Sequence, residues 1–288
     1  MWTANNWIDY ELLDCCQGER LERWGSKLLI RPEPLATEYG SNRHPGWISW
    51  NGRYVIDSKR NGRWETRDLS EHWNISYGSL TFQVGPTKHK QMGLFPEQAV
   101  NWEFEQRLIS NAGRKIRVLN LFAYTGGATI ACAAAGASVC HVDAAKEAVA
   151  WAKENARLSC LADSPIRWIV DDCWKFVQRE IRRGRKYDAV IMDPPSYGHG
   201  TSGRIWKLSS DFALFLQEVI QLLSDEPLFF IVNLYTAGVQ KDFVLKNLQA
   251  NVGHYFGGYI DVQQLALPIT HTGSWMPCGL TGCWAKSY

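Results

Sequence analysis

Four acidic residues of this 288-residue chain each end an apolar run that is typical of a buried strand. Asp143 ends SVCHVD, Asp171 and Asp172 end IRWIVDD, and Asp193 ends YDAVIMD. Carboxylates accept hydrogen bonds from hydroxyl and amino groups, so these residues suit a polar ligand that presents such donors. Because ligands of open parallel sheets bind outside the carboxyl ends of the strands, we expect these side chains to lie along one edge.

Two consecutive glycines, Gly126 and Gly127, follow the strand-like run IRVLNLF and allow a ligand to approach the backbone. They lack the G-x-G-x-x-G spacing whose glycines admit a pyrophosphate. Asp143 lies 17 residues after Gly126, close to the roughly 20-residue spacing at which an acidic residue binds a ribose diol. The pattern favours a nucleoside-containing cofactor without a pyrophosphate, which argues against a nicotinamide dehydrogenase.

The loop after the fourth run reads DPPSY, residues 193–197. Its two prolines remove two backbone donors and stiffen the chain, which leaves the Asp193 carboxylate and the Pro194 carbonyl as acceptors for an amino group. An ordinary proline-rich loop exit is the alternative interpretation. Asp172 also has two interpretations, because it could accept a hydrogen bond from an adenine amino group or cap the following helix.

The elements that must position these residues alternate between helix and strand from about residue 99 onward. This alternation predicts a parallel sheet with helices on its faces, and the chain ends in a hairpin. The predicted strands are 116–122, 138–144, 166–172, 187–193, 227–235, 258–269 and 277–288. The predicted helices are 98–112, 125–137, 146–161, 173–184, 206–224 and 239–252.

Residues 20–90 instead contain short β-rich runs, which predict a small antiparallel β domain. Hairpin turns are expected at Asn51-Gly52, Asn61-Gly62 and Gly78-Ser79, where residues tolerate positive φ. Seven tryptophans lie in the first quarter of the chain, and we interpret them as core of this domain, with a base-stacking surface as the alternative. The predicted domains are residues 1–92 and 93–288.

Composition excludes several classes of protein. The chain is 45% hydrophobic but has no uninterrupted apolar run long enough to span a membrane. Its net charge of +2 gives no general basic excess, so a nucleic acid would need a local patch. The eight cysteines form no C-x-x-C pair, and no metal-ligand spacing occurs, so we expect reduced thiols and no metal. The amino terminus lacks the features of a secretory signal, which predicts a cytoplasmic protein.

Two basic clusters could contact a polyanion. One surrounds Asn61-Gly62 and is the better candidate: Arg53, Lys59, Arg60, Arg63 and Arg67. The other precedes the run 187–193: Arg179, Arg182, Arg183, Arg185 and Lys186. Because this second cluster would lie at the amino ends of the strands, we interpret it as a solvated face.

Four segments resemble the class I S-adenosylmethionine-dependent methyltransferases, in particular the bacterial subgroup that contains ribosomal RNA large-subunit methyltransferases. They are NLFAYTGGAT, HVDAAKEAVAWAKENA, DDCWKF and YDAVIMDPPSYGHG. The segment GLFPEQ, residues 93–98, resembles a signature of that subgroup. The resemblance covers roughly residues 90–288. It implies a Rossmann-like α/β sheet of seven strands, preceded here by the small β domain, with S-adenosylmethionine as cofactor.

The resemblance also implies roles for individual positions. Asp143 would hold the ribose hydroxyls and Asp172 would meet adenine. The residues implied to bind the cofactor are Phe95, Gln98, Asn120, Ala123, Tyr124, Thr125, Gly126, Gly127, Asp143 and Asp172. The residues implied to face the methyl acceptor are Asp193, Pro194 (through its carbonyl) and Tyr197.

The acceptor is predicted from a missing cysteine. Enzymes that methylate carbon 5 of cytosine need a thiolate that adds to the base, and the family places it after the fourth or fifth strand. This chain has Ser196-Tyr197 and Asn233–Thr236 at those places. We therefore expect methylation of a base nitrogen in RNA, with ribosomal RNA as the substrate. The alternatives are a methyltransferase of small molecules or proteins, and a binding module that keeps the fold without activity. No sequence feature indicates the oligomeric state.

Overall fold

The computed structural model describes residues 1–36, 43–59, 61–199 and 205–287, with the backbone alone described at His199. Two compact units make up the chain. The first comprises Met1–Val100 and Leu265–Cys278, and the second comprises Asn101–Gln264 and Gly279–Tyr288. No helix among the described residues is long and apolar enough to cross a membrane.

The unit boundary at residues 100 and 101 lies later than the predicted domain boundary at 92 and 93. The segment 265–278 also belongs to the first unit, which the sequence did not predict. Backbone pairing explains this assignment, because Trp2 and Thr3 pair in parallel with Leu265 and Ala266. Sequence patterns describe local structure, whereas this pairing joins opposite ends of the chain.

Among its described residues, the first unit contains eight short strands in addition to the segment Leu265–Cys278. The strands are β1 (Trp2–Thr3), β2 (Tyr10–Cys16), β3 (Glu19–Trp24), β4 (Lys27–Pro32), β5 (Gly52–Ile56), β6 (Gly62–Thr66), β7 (Trp73–Tyr77) and β8 (Leu80–Val84). Strands β2 to β6 form a five-stranded sheet in chain order, and β7 pairs with β8. Single 3-10 turns occur at Pro45–Trp47 and Pro96–Gln98.

Two of the three predicted hairpins are confirmed. Strands β5 and β6 pair antiparallel around Asn61-Gly62, and β7 and β8 pair antiparallel around Gly78-Ser79. The hairpin at Asn51-Gly52 is wrong, because the run before it contains the 3-10 turn Pro45–Trp47 instead of a strand, and β5 pairs in parallel with β4. Asn51 binds Leu28 of β4 through both backbone and side chain: its amide donates to the Leu28 carbonyl at 2.8 Å, and its Oδ1 accepts from the Leu28 amide at 2.8 Å.

A buried carboxylate lies in the core of this sheet. Glu22 is fully buried and accepts hydrogen bonds from both Arg31 Nε (2.6 Å) and Arg31 Nη2 (2.7 Å), and from the Tyr10 hydroxyl (2.8 Å). Burial raises its pKa, but the charges of Arg20 and Arg31 outweigh burial and lower the pKa to about 2. Trp24 is the one fully buried tryptophan among the seven of this region, and it packs edge-on against Tyr10.

From residue 99 onward helices and strands alternate, as predicted. The helices are α1 (Ala99–Asn111), α2 (Gly127–Ala134), α3 (Lys146–Leu158), α4 (Cys173–Arg182), α5 (Leu208–Val219), α6 (Lys241–Leu248) and α7 (His254–Phe256). The strands are β9 (Arg117–Leu121), β10 (Ser138–Asp143), β11 (Ile166–Val170), β12 (Ala189–Met192), β13 (Tyr197–His199), β14 (Ile205–Lys207), β15 (Phe229–Leu234), β16 (Tyr259–Pro268) and β17 (Trp275–Ala285). A 3-10 turn follows α5 at Ile220–Leu222, and a π-helical turn follows α6 at Gln249–Gly253.

The main sheet has the order β1-β16-β17-β15-β12-β9-β10-β11, in which the two-residue strand β1 is added at one edge of seven others. Strands β9, β10, β11, β12 and β15 are parallel to their neighbours in this group, and β17 is antiparallel to β15. This order confirms the predicted seven-stranded Rossmann-like sheet with a C-terminal hairpin. One helix boundary is wrong, because residues 206 and 207 belong to β14, which pairs Trp206 with Gly198.

Burial follows the position of each strand in the sheet. Every residue of β12 and β15 is buried, because central parallel strands are covered on both faces. The edge strand β11 has no fully buried residue. Aromatic rings from α4 and α5, namely Phe176, Phe212 and Phe215, pack in one apolar cluster with these strands. The burial patterns therefore agree with central positions for β12 and β15 and an edge position for β11.

The buried Glu22 carboxylate predicts a specific dependence of stability on pH. Its pKa is lowered from 4.5 to about 2 in the folded state, so its stabilising effect is full above pH 4.5 and falls as the pH drops toward 2. Between pH 5 and pH 3 the wild type should lose about 2 kcal/mol more free energy of unfolding than Glu22→Gln. Urea unfolding measures this difference.

The exposed Glu71→Gln is the matched control and should retain the wild-type pH dependence. At pH 7 Glu22→Gln itself should cost about 3 to 5 kcal/mol, because Arg31 loses its buried ionic partner. Identical pH profiles for the wild type and Glu22→Gln would contradict the assignment.

Candidate active site

Residues at the carboxyl edge of the four parallel strands β9 to β12 surround a cavity of about 300 Å³. That volume lies at the lower end of the range for small-molecule sites. The lining residues are Phe122, Asp143, Ala144, Ala145, Asp172, Cys173, Asp193, Pro195, Gly198 and Trp206. Three of the four acidic residues that end predicted strands are thus brought together.

Asp143 is the most tightly held of these carboxylates. Its Oδ2 accepts a hydrogen bond from the Tyr124 amide at 2.8 Å, and its Oδ1 accepts one from the Ala145 amide at 2.8 Å. Burial raises the pKa of Asp143, and the hydrogen bonds from Ala145 and Tyr124 partly oppose this effect. A carboxylate has about four acceptor positions, so both oxygens retain the capacity to accept a ligand hydroxyl.

The loop between β9 and α2 has an unusual backbone. Phe122 and Tyr124 have positive φ values of 55° and 50°, and Gly126 has a φ of 85°. Positive φ is rare for bulky residues and clusters at ligand sites, where surrounding contacts maintain the strain. The Tyr124 amide, held by Asp143, is one such contact.

Both predicted glycines have a packing reason in addition to ligand access. A Cβ on Gly126 would lie 3.0 Å from the Cβ of Ala152, and a Cβ on Gly127 would lie 2.6 Å from the Trp102 ring. Neither position accommodates a side chain without a shift of its neighbours. The close contacts therefore bring the start of α2 against α1 and α3.

A buried polar network lies beneath this loop. Asn120 Nδ2 donates to Thr129 Oγ1 at 2.9 Å, and Thr129 Oγ1 lies 2.9 Å from His141 Nδ1. Burial lowers the pKa of His141 to about 3, so its imidazole is neutral near pH 7. Asn155 Nδ2 donates to the Thr125 carbonyl at 2.8 Å. The predicted residues Asn120 and Thr125 are therefore engaged inside the fold and support the loop from below.

The capping interpretation of Asp172 is confirmed. Asp172 is the N-cap of α4, and its Oδ1 accepts a hydrogen bond from the Lys175 amide at 3.0 Å. It also lines the cavity, so capping and ligand contact are compatible. The neighbouring Asp171 instead forms an ion pair with Arg179 at 2.6 Å and accepts the Asp172 amide.

The proline loop after β12 is anchored by an indole that the sequence did not single out. Trp206 Nε1 donates to the Pro195 carbonyl at 2.6 Å, and Trp206 pairs with Gly198 in the β13–β14 ribbon. Trp206 is buried and lines the cavity together with Asp193. The anchored loop thus holds Asp193 at the cavity wall.

The rest of this loop is more exposed. Ser196 Oγ and Thr236 Oγ1 lie 2.6 Å apart, which links the loops after β12 and β15. Pro194 is buried, whereas the Tyr197 ring is 51% exposed. An exposed ring beside a cavity can stack on a flat ligand.

The thiol nearest the site is Cys173, which lines the cavity. Its Sγ accepts a hydrogen bond from the Phe122 amide at 3.3 Å. Burial raises the pKa of this thiol well above its usual value, so the group stays protonated near pH 7. A protonated thiol is a poor nucleophile, and Cys173 therefore serves the packing of the loop.

Two further predicted residues lie in the other compact unit. Phe95 precedes the 3-10 turn Pro96–Gln98, and Gln98 is buried. Their contact with a ligand stays a prediction. Across the described residues, no group of three or more His, Cys, Asp or Glu side chains could hold a metal ion.

The basic cluster around Asn61-Gly62 is partly neutralised. Arg53 forms an ion pair with Glu19 at 2.9 Å, and Arg63 forms one with Glu65 at 3.1 Å. Arg67 stacks on the Trp50 ring, with 3.9 Å from its guanidinium carbon to the ring centroid. Lys59 is exposed, and Arg60 lies outside the described residues. These pairs reduce the positive charge available to a polyanion.

Comparison with known proteins extends these observations. The family model described as "S-adenosylmethionine-dependent methyltransferase" matches residues 36–256. A ribosomal RNA large subunit methyltransferase K/L from Shewanella frigidimarina is 33% identical over 152 residues, which are 51% of this chain and 20% of that protein. The chain thus spans about a fifth of the length of such curated relatives.

Solved structures agree with the fold. The crystal structure of a SAM-dependent methyltransferase from Agrobacterium tumefaciens has a TM-score of 0.91 and 34% identity, covering 96% of this chain and 90% of that chain. A tRNA methyltransferase from M. jannaschii has a TM-score of 0.55 and 12% identity, covering 97% and 74% respectively, and is similar in fold alone. With its sheet order, its cavity and its match over most of the length, the chain belongs to the S-adenosylmethionine-dependent methyltransferase family.

Proposed function

We propose that this S-adenosylmethionine-dependent methyltransferase transfers the methyl group to a base nitrogen in RNA, with ribosomal RNA as the substrate. The observation that carries the proposal is that Asp193, Asp143 and Asp172 line the same cavity. The loops after β12 and β15, where carbon methylation would need a thiolate, contain no cysteine. The first carboxylate is suited to an acceptor amino group, and the other two are suited to a nucleoside. A second class of acceptor, a small molecule or a protein, is an outcome of the experiment below.

The cavity fits the nucleoside part of the cofactor. Both Asp143 oxygens retain an acceptor position for a ribose hydroxyl, and Asp172 lies in the same wall for the adenine amino group. The Phe122 and Trp206 rings supply apolar wall. The loop Ala123–Gly127 would surround the methionine part. When bound, S-adenosylmethionine supplies a methyl group on a sulfonium, which is an activated leaving group.

Apart from binding the cofactor, this chain has to align the acceptor nitrogen with the methyl group. The Asp193 carboxylate accepts a hydrogen bond from the acceptor amino group and directs the nitrogen lone pair at the cavity. The indole of Trp206, bound to the Pro195 carbonyl, holds that loop in place. The exposed Tyr197 ring stacks on the acceptor base.

The names of relatives support RNA as the acceptor. The Shewanella frigidimarina relative is a ribosomal RNA methyltransferase, and its match covers about half of this chain. The near-neutral net charge requires that RNA be bound by a local patch. RNA also offers base amino groups, which are donors that a carboxylate such as that of Asp193 can accept.

Transfer of label tests the proposal. The protein is incubated with S-adenosylmethionine carrying a radiolabelled methyl group and with separate RNA, protein and metabolite fractions of a bacterial extract. We expect label in the RNA fraction, and nuclease digestion should release an N-methylated nucleoside. Label confined to protein or metabolites would contradict RNA as the acceptor, and a C-methylated nucleoside would contradict nitrogen.

Asp143→Ala tests the ribose contact. Loss of a charged acceptor should weaken S-adenosylmethionine binding by about 1.5 to 3 kcal/mol, or roughly 10- to 150-fold in Kd. Titration calorimetry measures the affinity, and thermal unfolding checks that the fold persists. The exposed Asp225→Ala serves as the control and should bind normally. Wild-type affinity in Asp143→Ala would reject the ribose assignment.

Asp193→Ala separates cofactor binding from transfer. The variant should keep the cofactor Kd within about threefold but lose at least about 10²-fold in methyl transfer, the scale of misplaced reacting groups. The exposed Asp242→Ala is the control for both measurements. Parallel losses of affinity and transfer would assign Asp193 to the cofactor, and normal turnover would remove it from the reaction.

The reaction should pass through no covalent enzyme–base adduct. Cytosine carbon 5 is a weak nucleophile until a thiolate adds at carbon 6, and Cys173 is buried and protonated. Ribosomal RNA transcribed with 5-fluorocytidine should therefore leave no complex stable to denaturing gel electrophoresis. Cys173→Ser should remain active. A trapped complex would overturn the nitrogen assignment.

A further inference from the structure

A second cavity lies at the opposite edge of the parallel sheet. Its volume is about 380 Å³, and its walls come from the amino ends of β9, β10 and β11, from the end of α4 and from the segment before β12. The lining residues are Arg117, Ser138, Val139, Cys140, Pro165, Arg167, Glu180, Arg183, Arg185, Lys186 and Tyr187. We call it the amino-edge cleft.

The amino-edge cleft concentrates positive charge in a chain whose net charge is only +2. Five of its lining side chains are cationic and one is a carboxylate. Lys186 Nζ donates to the Gln221 carbonyl at 2.7 Å, and the Arg185 guanidinium has no partner among the described residues. Arg117 forms an ion pair at 3.4 Å with Asp188, which lies outside the lining.

Glu180 is a fixed anchor for two of the arginines. It is fully buried and accepts hydrogen bonds from the Tyr187 hydroxyl at 2.7 Å, from Arg167 at 3.2 Å and from Arg183 at 3.2 Å. Each guanidinium uses one of its five N–H donors on Glu180, so most donors remain available. Because Glu180 restrains both arginines, an anion that binds them loses less side-chain entropy.

The floor of the cleft is less polar than its rim, which the cationic side chains form. Val139, Cys140 and Tyr187 are buried, and Pro165 completes this surface. Guanidinium groups bind phosphate through paired N–H donors, whereas an apolar floor binds the flat face of a ring. A bare inorganic anion would use the rim alone. The cleft volume also suits a drug-sized ligand.

We propose that the amino-edge cleft binds a nucleotide unit, with its phosphate on Arg183, Arg185 and Arg167 and its nucleoside on the apolar floor. The unit is either a free nucleotide or part of an RNA strand, and both sources present the same chemistry. This site is distinct from the cavity at the carboxyl edge, and it stands whether or not RNA is the methyl acceptor. The sequence favours a solvated face for the basic residues 179–186. For those that line the cleft, nucleotide binding replaces that interpretation.

Nucleotide binding with the cofactor cavity blocked tests this proposal. Saturating S-adenosylhomocysteine keeps adenosine compounds out of the carboxyl-edge cavity. Titration calorimetry then compares adenosine 5′-monophosphate, adenosine and inorganic phosphate. We expect the monophosphate to bind wild-type protein at least about tenfold more tightly than adenosine or phosphate, since it alone engages both rim and floor.

Charge-matched variants locate the site. Arg183→Gln with Arg185→Gln should weaken monophosphate binding at least about tenfold, whereas Arg182→Gln with Lys153→Gln, both exposed and outside the cleft, should stay within twofold. Both double variants should bind S-adenosylhomocysteine normally, which shows that the fold is intact. If the cleft variant loses that binding, Arg185→Gln alone is used and should weaken the monophosphate at least about threefold.

A fluorescein-labelled single-stranded RNA of twelve nucleotides distinguishes the two sources. Weaker RNA binding by the cleft variant, with a salt slope flatter by about 0.7 for each lost phosphate contact, assigns the cleft to an RNA strand. Unchanged RNA binding with weakened monophosphate binding assigns it to a free nucleotide. The proposal is overturned if neither probe binds wild-type protein, if inorganic phosphate matches the monophosphate, or if both double variants bind equally well.

Discussion

The hydrogen bonds to Asp143 are the interaction on which the carboxyl-edge site depends. One carboxylate oxygen holds the amide of Tyr124 and the other holds the amide of Ala145, so a single side chain fixes the ends of two loops. The β9–α2 loop contains residues at positive φ, and such a backbone persists only when contacts over-determine it. The same carboxylate lines the cavity, so the side chain that holds the strained loop is also available to a ligand.

The rest of the site follows from packing around that loop. Trp102 and Ala152 press against the two glycines, so the start of α2 has one allowed position. The neutral His141 and its hydroxyl and amide partners support the loop from inside the sheet without bringing a charge into the core. On the far side of the cavity, the indole of Trp206 holds the proline loop in place through its hydrogen bond to the Pro195 carbonyl. The acidic residues are thus fixed before any ligand arrives, which reduces the entropy lost on binding.

One parallel sheet presents two chemically different edges. Carboxylates gather at the carboxyl ends of the strands, where loops leave the sheet toward the cofactor cavity. Arginines gather at the amino ends, around a carboxylate that neutralises part of their charge. Because the two cavities face opposite edges of the same strands, a ligand in one leaves the other accessible.

The sequence was informative where a local pattern determines the outcome. Alternating helix and strand signals predicted the succession of elements in the main sheet, and the acidic residues at strand ends predicted Asp143, Asp172 and Asp193 as cavity residues. The pairing of 265–266 with Trp2 and Thr3 was not predictable, because long-range pairing leaves no periodic signal. Trp206 was missed for a similar reason, since its apolar ring reads as the start of a helix until its hydrogen bond to Pro195 is seen. The Asn51-Gly52 turn signal was misleading because the aromatic run before it forms the 3-10 turn Pro45–Trp47, and Asn51 binds Leu28 of β4.

A crystal structure with S-adenosylhomocysteine would show whether Asp143 binds the ribose of the cofactor. The account predicts the nucleoside in the carboxyl-edge cavity, with an Asp143 oxygen within hydrogen-bonding distance of a ribose hydroxyl and with adenine beside Asp172 and Cys173. The Tyr124 and Ala145 amides should remain bound to Asp143. A nucleoside bound elsewhere, for example in the amino-edge cleft, or an Asp143 carboxylate that turns away from the ribose, would contradict the account.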